Sequence, residues 1–194
     1  VGPTNSGKTY NAMKKLKEAN SGLYLAPLRL LALEGYEDLK ESNIEASLIT
    51  GEEQQLSEDA AHICSTIEML DFDLEVDVAV IDEVQMLEDI DRGWAWVNAI
   101  IGVPAKKVIM TGSVNALEAV KRIVQYLDEE LEVVRHKRKN PLLVLPKWTP
   151  LDKLENGTAL IAFSRAEVLK LKQKLQKKYS VSVIYGNLSP EVRR

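Results

Sequence analysis

Only one cysteine, Cys64, occurs in the 194 residues. That excludes an internal disulfide, and with just two histidines the chain is short of ligands for a structural zinc site. A reducing compartment is the natural setting. No apolar run approaches the ~20 residues of a membrane-spanning helix. No signal peptide is visible, and no repeat of fixed period or low-complexity tract occurs. Each part of the chain is also poor in one sign of charge. Residues 1–134 hold 11 Lys and Arg against 25 Asp and Glu, whereas residues 135–194 hold 14 against 4. The overall charge of −4 conceals this division. An acidic part followed by a basic part suggests two units, the second able to face an anionic polymer. For Lys170 to Lys178 alone, a solvated lysine-rich helix face is the plainer reading.

What is present starts at once. Val1-Gly2-Pro3-Thr4-Asn5-Ser6-Gly7-Lys8-Thr9 contains G-x-x-x-x-G-K-T, a phosphate-binding loop. Gly2 and Gly7 let the backbone curl so that successive N–H groups point into one concavity, with Pro3, Thr4, Asn5 and Ser6 between them. Lys8 reaches the β/γ oxygens of a nucleotide, and the Thr9 hydroxyl suits Mg²⁺. The helix expected after the loop turns its positive end to the same anion. Such loops follow a buried strand, and here only Val1 precedes it. The sequence is therefore expected to be part of a longer chain.

Further on, the pattern alternates. Helices are expected over Tyr10–Asn20 (stopped by Gly22), Leu28–Leu39, Gly93–Ile101 and Ala116–Leu127, with another starting at Thr66–Leu70. Apolar strands are expected at Leu23–Ala26, Ala46–Thr50, Ala61–Ser65, Val76–Ile81, Lys107–Thr111 and Glu132–Val134. Gly51–Ala61 is acidic and reads as surface. This alternation indicates an α/β fold with a parallel sheet covered on both faces by helices. Residues 1–134 form its first domain, the basic stretch 135–141 a linker, and 142–194 the start of a second α/β unit. In that unit Thr158–Phe163 and Val181–Tyr185 read as strands and Ala166–Lys178 as a helix. Gly186-Asn187 reads as a turn, and Ser189-Pro190-Glu191 as a helix start.

Asp82-Glu83-Val84-Gln85 follows the most buried-looking strand. An acidic residue there can hold Mg²⁺ together with Thr9, and Glu83 can orient or deprotonate an attacking water. Arg29, Thr66 and Thr111-Gly112-Ser113 also lie just past strands, where α/β sheets place their ligand crevice. Each taken alone reads as a cap or a turn. Trp94 and Trp96 stand two apart on a helix and cannot share a face, so one packs in the core and the other is partly exposed. His62 and His136 show no partner pattern, and Cys64 reads as a small buried residue.

Taken in order, GPTNSGKT, APLRLLA, TGEE, CSTIEM, DEVQ, TGS and FSR are similar to the successive motifs of a superfamily 2 helicase. The DEVQ box narrows the resemblance. VGPTNSGKTY, LYLAPLRLLA, LITGEE, DEVQM, DRGWAW and VIYGNLSPEVRR together resemble the mitochondrial degradosome RNA helicase family, which has bacterial members. The resemblance runs from Val1 to Arg194. It implies RecA-like domains, ATP and Mg²⁺ as cofactors, and ATP phosphates held by residues 2–9. It implies that Asp82 and Glu83 serve the metal and the water, that Gln85 couples nucleotide state to the motor, and that Thr111, Gly112 and Ser113 link the two sites. Arg29, Thr50, Gly51, Thr66 and Glu68, with Ser164 and Arg165 of the second domain, are where the family contacts or braces nucleic acid. Such contacts to phosphate and sugar do not read sequence. The implied partner is single-stranded or duplex RNA, with DNA as the alternative. An exoribonuclease partner, a monomeric motor, no membrane, and a bacterial cytoplasm or mitochondrial matrix complete the implication. The family's later motifs, including an arginine finger, would lie beyond Arg194. This stretch alone is expected to bind ATP–Mg weakly and hydrolyse it poorly. Two other classes stay open from the residues. One is a thymidine-type kinase, against which the single cysteine and the FSR segment argue. The other is a nucleotide-gated RNA clamp without turnover, against which the intact Glu83 argues.

Overall fold

In the computed structural model the chain falls into two compact units, Val1–Pro141 and Leu142–Arg194. The structure describes residues 1–185, so the turn at Gly186-Asn187 and the helix start at Ser189 lie outside the described residues.

In the first unit the elements run α1 (Lys8–Lys17), β1 (Gly22–Ala26), α2 (Arg29–Glu41), β2 (Ala46–Ile49), β3 (Gln54–Gln55), β4 (His62–Thr66), β5 (Val76–Ile81), α3 (Gly93–Gly102), β6 (Ala105–Met110) and α4 (Leu117–Tyr126). They build one six-stranded sheet in the order β3-β2-β4-β1-β5-β6. Every pairing is parallel except β2 with β3. The sheet is thus RecA-like in layout, with an antiparallel edge that the acidic 51–61 stretch did not announce.

Side-chain alternation sorts the core into two layers. Leu23 and Leu25 of β1 face Trp96, Ala99, Val120 and Val124 of α3 and α4. Tyr24 and Ala26 face Ala12, Leu16, Leu33 and Leu39 of α1 and α2. Burial on both faces explains why β1 and β5 read as nearly continuous apolar runs. In α4, Leu117, Val120 and Val124 repeat at helical spacing and turn inward. Helix α2 ends at Glu41, and just beyond it the left-handed backbone of Asn43 (φ 58) lets Ile44 N–H return to the Leu39 carbonyl at 3.0 Å. Trp96 is fully buried and Trp94 more than half exposed.

Some expectations are corrected. Gly22 does not stop α1, which ends at Lys17; its backbone is the first rung of β1, opposite His62 and Val78. Thr66–Leu70 makes only a single 3₁₀ turn, Ile67–Met69. Glu132–Val134 is not a strand. Its segment bonds one residue, with Val1 N donating to the Val134 carbonyl at 2.6 Å and His136 N–H donating to the Val1 carbonyl at 2.8 Å. One partner residue makes no ladder.

In the second unit, α5 (Arg165–Leu175) is capped by Ser164, whose hydroxyl accepts from Glu167 N–H at 3.2 Å. Ser164 and Glu167 stand at capping-box spacing. Thr158–Phe163 and Val181–Tyr185 are not strands in the structure. Their β-branched residues suit a strand, but a strand exists only when paired, and neither segment has a ladder among the described residues. Ile161 and Phe163 accordingly lie exposed.

Leu39 is wholly buried between α2 and the sheet, whereas Tyr126 is exposed at the end of α4. Leu39→Ala should destabilise the protein by about 2–5 kcal/mol, and Tyr126→Ala by under about 0.5 kcal/mol. Urea unfolding of both variants checks the contrast.

Candidate functional site

The loop before α1 is shaped for an anion. Gly7 sits at φ 79, with open space where a side chain would begin. Asn5 also takes a left-handed backbone. Asn11 N–H already bonds the Gly7 carbonyl, so α1 starts directly at the loop and points its first free N–H groups into it. The Ser6 hydroxyl is buried without a hydrogen-bond partner. Gly2 is tied to the end of β6 through a 3.0 Å bond to the Gly112 carbonyl, and Arg138 donates to the Thr4 carbonyl at 3.0 Å.

Asp82 stands at the end of β5, almost fully buried. Its carboxylate collects donors from several elements. Tyr24 of β1 donates to Oδ2 at 3.0 Å, and the Glu83 amide donates to Oδ1 at 2.8 Å. Thr111, past β6, donates to Oδ1, and Thr9 of α1 lies 3.3 Å from Oδ1. Burial first, and the Asp82 charge second, push the Tyr24 phenol far above its ordinary range, so it stays a donor.

Glu83 takes a left-handed backbone (φ 51, ψ 51), which costs a non-glycine residue about 1–2 kcal/mol. That geometry turns its side chain toward Lys8, 3.4 Å away. Gln85 donates to the other Glu83 oxygen and accepts from Ser113 N–H at 3.0 Å. Gly112 makes this approach feasible. A β-carbon there would lie 2.7 Å from Val84 Cγ2 and 2.8 Å from Gln85 Oε1. Lys8, Thr9, Asp82, Glu83, Gln85 and Thr111–Ser113 therefore converge at the carboxyl ends of β5 and β6.

These groups fit a nucleotide triphosphate with a divalent ion. The loop carries an unpartnered buried hydroxyl, and Thr9 and Asp82 present adjacent hard oxygens of the kind Mg²⁺ prefers.

A second cluster lies beside β1 and β4. An open groove of about 450 Å³ is lined by Arg29, Gly51, Glu52, Thr66, Glu68 and Arg92, among others. Each guanidinium is paired, Arg29 with Glu52 and Arg92 with Glu68 at 2.7 Å. Thr50 is not part of this lining. It is buried, and its hydroxyl accepts from the Glu53 amide at 3.0 Å to close the β2–β3 turn, so its local role is to shape that turn. Ser164 and Arg165 belong to the second unit, the former as a helix cap and the latter with its guanidinium 5.3 Å from the Tyr185 ring centre. Three residues went unassigned in the sequence: Tyr24, hidden in an apolar run; Arg92; and Trp96, whose buried N–H donates to the Asp82 carbonyl at 2.9 Å. A buried indole needs an acceptor, and that requirement was the available signal.

A phosphate loop and an acidic strand end on this mostly parallel sheet define a RecA-like P-loop domain. Solved structures agree on the fold. The helicase domain of Pyrococcus furiosus Hef covers 92% of the chain with a TM-score of 0.53 at 19% identity, using 49% of its own length. The Saccharomyces cerevisiae Dbp5 variant bound to Nup159, Gle1, IP6 and ADP covers 96% with a TM-score of 0.50 at 17% identity, using 60% of its length. Residues 1–136 match the model of the DEXQ-box helicase domain of Suv3, and the chain belongs to that family. It is 41% identical to the mitochondrial ATP-dependent RNA helicase SUV3 of Saccharomyces cerevisiae over 100% of its own length and 27% of the relative's. The mitochondrial DExH-box ATP-dependent RNA helicase DExH16 of Arabidopsis thaliana is 38% identical over 100% of this chain and 34% of its own. The chain thus spans about a quarter to a third of the curated relatives it matches.

Tyr24→Phe removes one neutral donor from Asp82 and keeps the ring. A hydrogen bond to a charged group contributes about 1.5–3 kcal/mol, so the folded protein should lose about that much stability, and Mg²⁺-dependent nucleotide binding should weaken as Asp82 loses a group that orients it. Binding measured in chelator should not change. Calorimetric titration with and without Mg²⁺ separates the two.

Proposed function

We propose that the protein is an ATP-dependent RNA helicase that couples hydrolysis to movement along RNA. The observation that carries this reading is the meeting of the phosphate loop, Asp82-Glu83 and Thr111–Ser113 at one sheet edge, with a cation-bearing groove on the same unit. Lys8 and the loop amides hold the β- and γ-phosphates, and the α1 N-terminus adds its positive end. Thr9 and Asp82 hold a divalent ion, which when bound neutralises the β/γ oxygens. Glu83 orients a water and accepts its proton as the water oxygen bonds the γ-phosphorus and the bond to the ADP oxygen breaks. Gln85 spans from Glu83 to the Ser113 amide and so ties the state of that carboxylate to the segment after β6.

In the groove, Arg29 is the phosphate contact, with Gly51, Thr66 and Glu68 shaping the surface around it. Thr50 supports from beneath. By the family resemblance, Ser164 and Arg165 of the second domain are separate contacts to nucleic acid. The domain limits follow the charge division, 1–134 and 142–194 about a basic linker. RNA is preferred over DNA because the named relatives are RNA helicases. Those relatives are also mitochondrial, so the mitochondrion is the favoured compartment over a bacterial cytoplasm. Work as a monomer feeding an exoribonuclease fits the family resemblance.

The full-length protein should hydrolyse ATP faster with single-stranded RNA than without, and Lys8→Ala and Glu83→Gln should each abolish the stimulated rate. Phosphate transfer to a nucleoside, without response to RNA, would make the protein a kinase. RNA binding with no turnover would make it a clamp.

Arg29→Ala should weaken RNA binding uniformly across sequences and lower the log–log salt slope by about one ion contact. Fluorescence anisotropy at several salt concentrations reads both effects.

A further inference from the structure

We propose that Arg92 and Trp96 are positioning residues that join the RNA groove to the carboxylate turn of the nucleotide site. The inference rests on the reading of those two sites given above, and it names a physical connection between them.

Arg92 is the residue that leads into α3. Its Nε donates to Glu68 at 2.8 Å and its Nη2 to the Pro27 carbonyl at 2.6 Å. Glu68 and Pro27 both line the groove, and Pro27 stands two residues before Arg29 at the start of α2. Arg92 is therefore anchored to both walls of the groove. Its guanidinium also lies 5.4 Å from the centre of the Trp96 ring. The two residues are four apart, so they stack on one helix face.

Trp96 continues the connection inward. Its indole N–H donates to the Asp82 carbonyl at 2.9 Å. That carbonyl belongs to the peptide between Asp82 and Glu83. The N–H of the same peptide donates to Asp82 Oδ1 at 2.8 Å. One rigid peptide plane is thus held at one end by Trp96 and holds the Asp82 carboxylate at the other. The next residue, Glu83, is the one in the left-handed conformation. Rotation of this plane would turn the Asp82 carboxylate and re-aim Glu83 together.

A phosphodiester entering the groove competes with Glu68 and Pro27 for Arg92. A changed Arg92 position acts on the first turn of α3, and Trp96 sits one turn on. The indole transmits the displacement to the peptide that orients both acidic groups. The route is a chain of direct contacts, each within one unit. Its test must be a coupling measurement, because adjacency alone does not establish transmission.

The experiment uses the full-length protein, a fluorescent ADP analogue with Mg²⁺, and a short single-stranded oligouridylate. Nucleotide affinity is measured with and without the oligonucleotide, and oligonucleotide affinity with and without nucleotide. Linkage requires the two ratios to agree, and such ratios are typically about 5–150-fold. Trp96→Phe keeps an aromatic ring and loses the N–H. Arg92→Met keeps the apolar stem and loses the guanidinium. In both, the coupling ratio should fall to within about twofold of one. Trp94→Phe, on the exposed face of the same helix, should keep the parent ratio. Unchanged ratios in the folded Trp96 and Arg92 variants would overturn the proposal. Should Trp96→Phe fail to fold, Arg92→Met decides alone. A parent that binds RNA with a ratio of one sinks the inference and spares the helicase reading. A parent that binds no RNA sinks the helicase reading itself, and the connection with it.

Discussion

Asp82 is a carboxylate enclosed by protein, and the rest of the first unit is arranged to make that tolerable. An unpaired charge at this depth would cost several kcal/mol. Here the charge meets a phenol from β1, hydroxyls from α1 and from the end of β6, and its own following amide. No two of the three side-chain donors come from the same element. They can meet only if β5 lies between β1 and β6 and α1 crosses above, which is the order observed. The sheet topology and the polar site are therefore one requirement seen twice.

The same requirement explains the strained Glu83. A relaxed backbone at that position would aim its carboxylate elsewhere. Instead the residue is pinned by Val84 N–H on the Thr111 carbonyl at 2.8 Å and by Trp96 on the preceding carbonyl. Local strain persists at functional sites when the surroundings over-determine it, and here the neighbours on both sides do so.

Much of this was legible in one dimension. The phosphate loop is a local backbone device, so its sequence spacing carries its geometry. Strand β5 was legible to the residue because burial on both faces leaves an apolar run broken only by Asp77. Long-range relations were not. The β2–β3 turn depends on Thr50, whose hydroxyl accepts from the Glu53 amide, a contact its sequence position does not reveal. Tyr24 looks like any strand aromatic until Asp82 is placed 3.0 Å from its oxygen. Residues 158–163 have the composition of a strand, but composition cannot supply the neighbour a strand must pair with.

The pairing of each groove guanidinium has a wider consequence. Arg29 and Arg92 both arrive with a carboxylate attached, and the 134 residues around them carry 25 acidic against 11 basic side chains. Such a surface repels a polyanion at a distance and admits it only at contact, where these part-buried ion pairs must open first. On the proposed helicase reading, capture from solution would fall to residues 135–194, with 14 basic against 4 acidic groups. Attraction and grip would then belong to different stretches of one polypeptide, with ionic strength acting mainly on how often a strand arrives and only by about one ion contact at Arg29 on how firmly it is held.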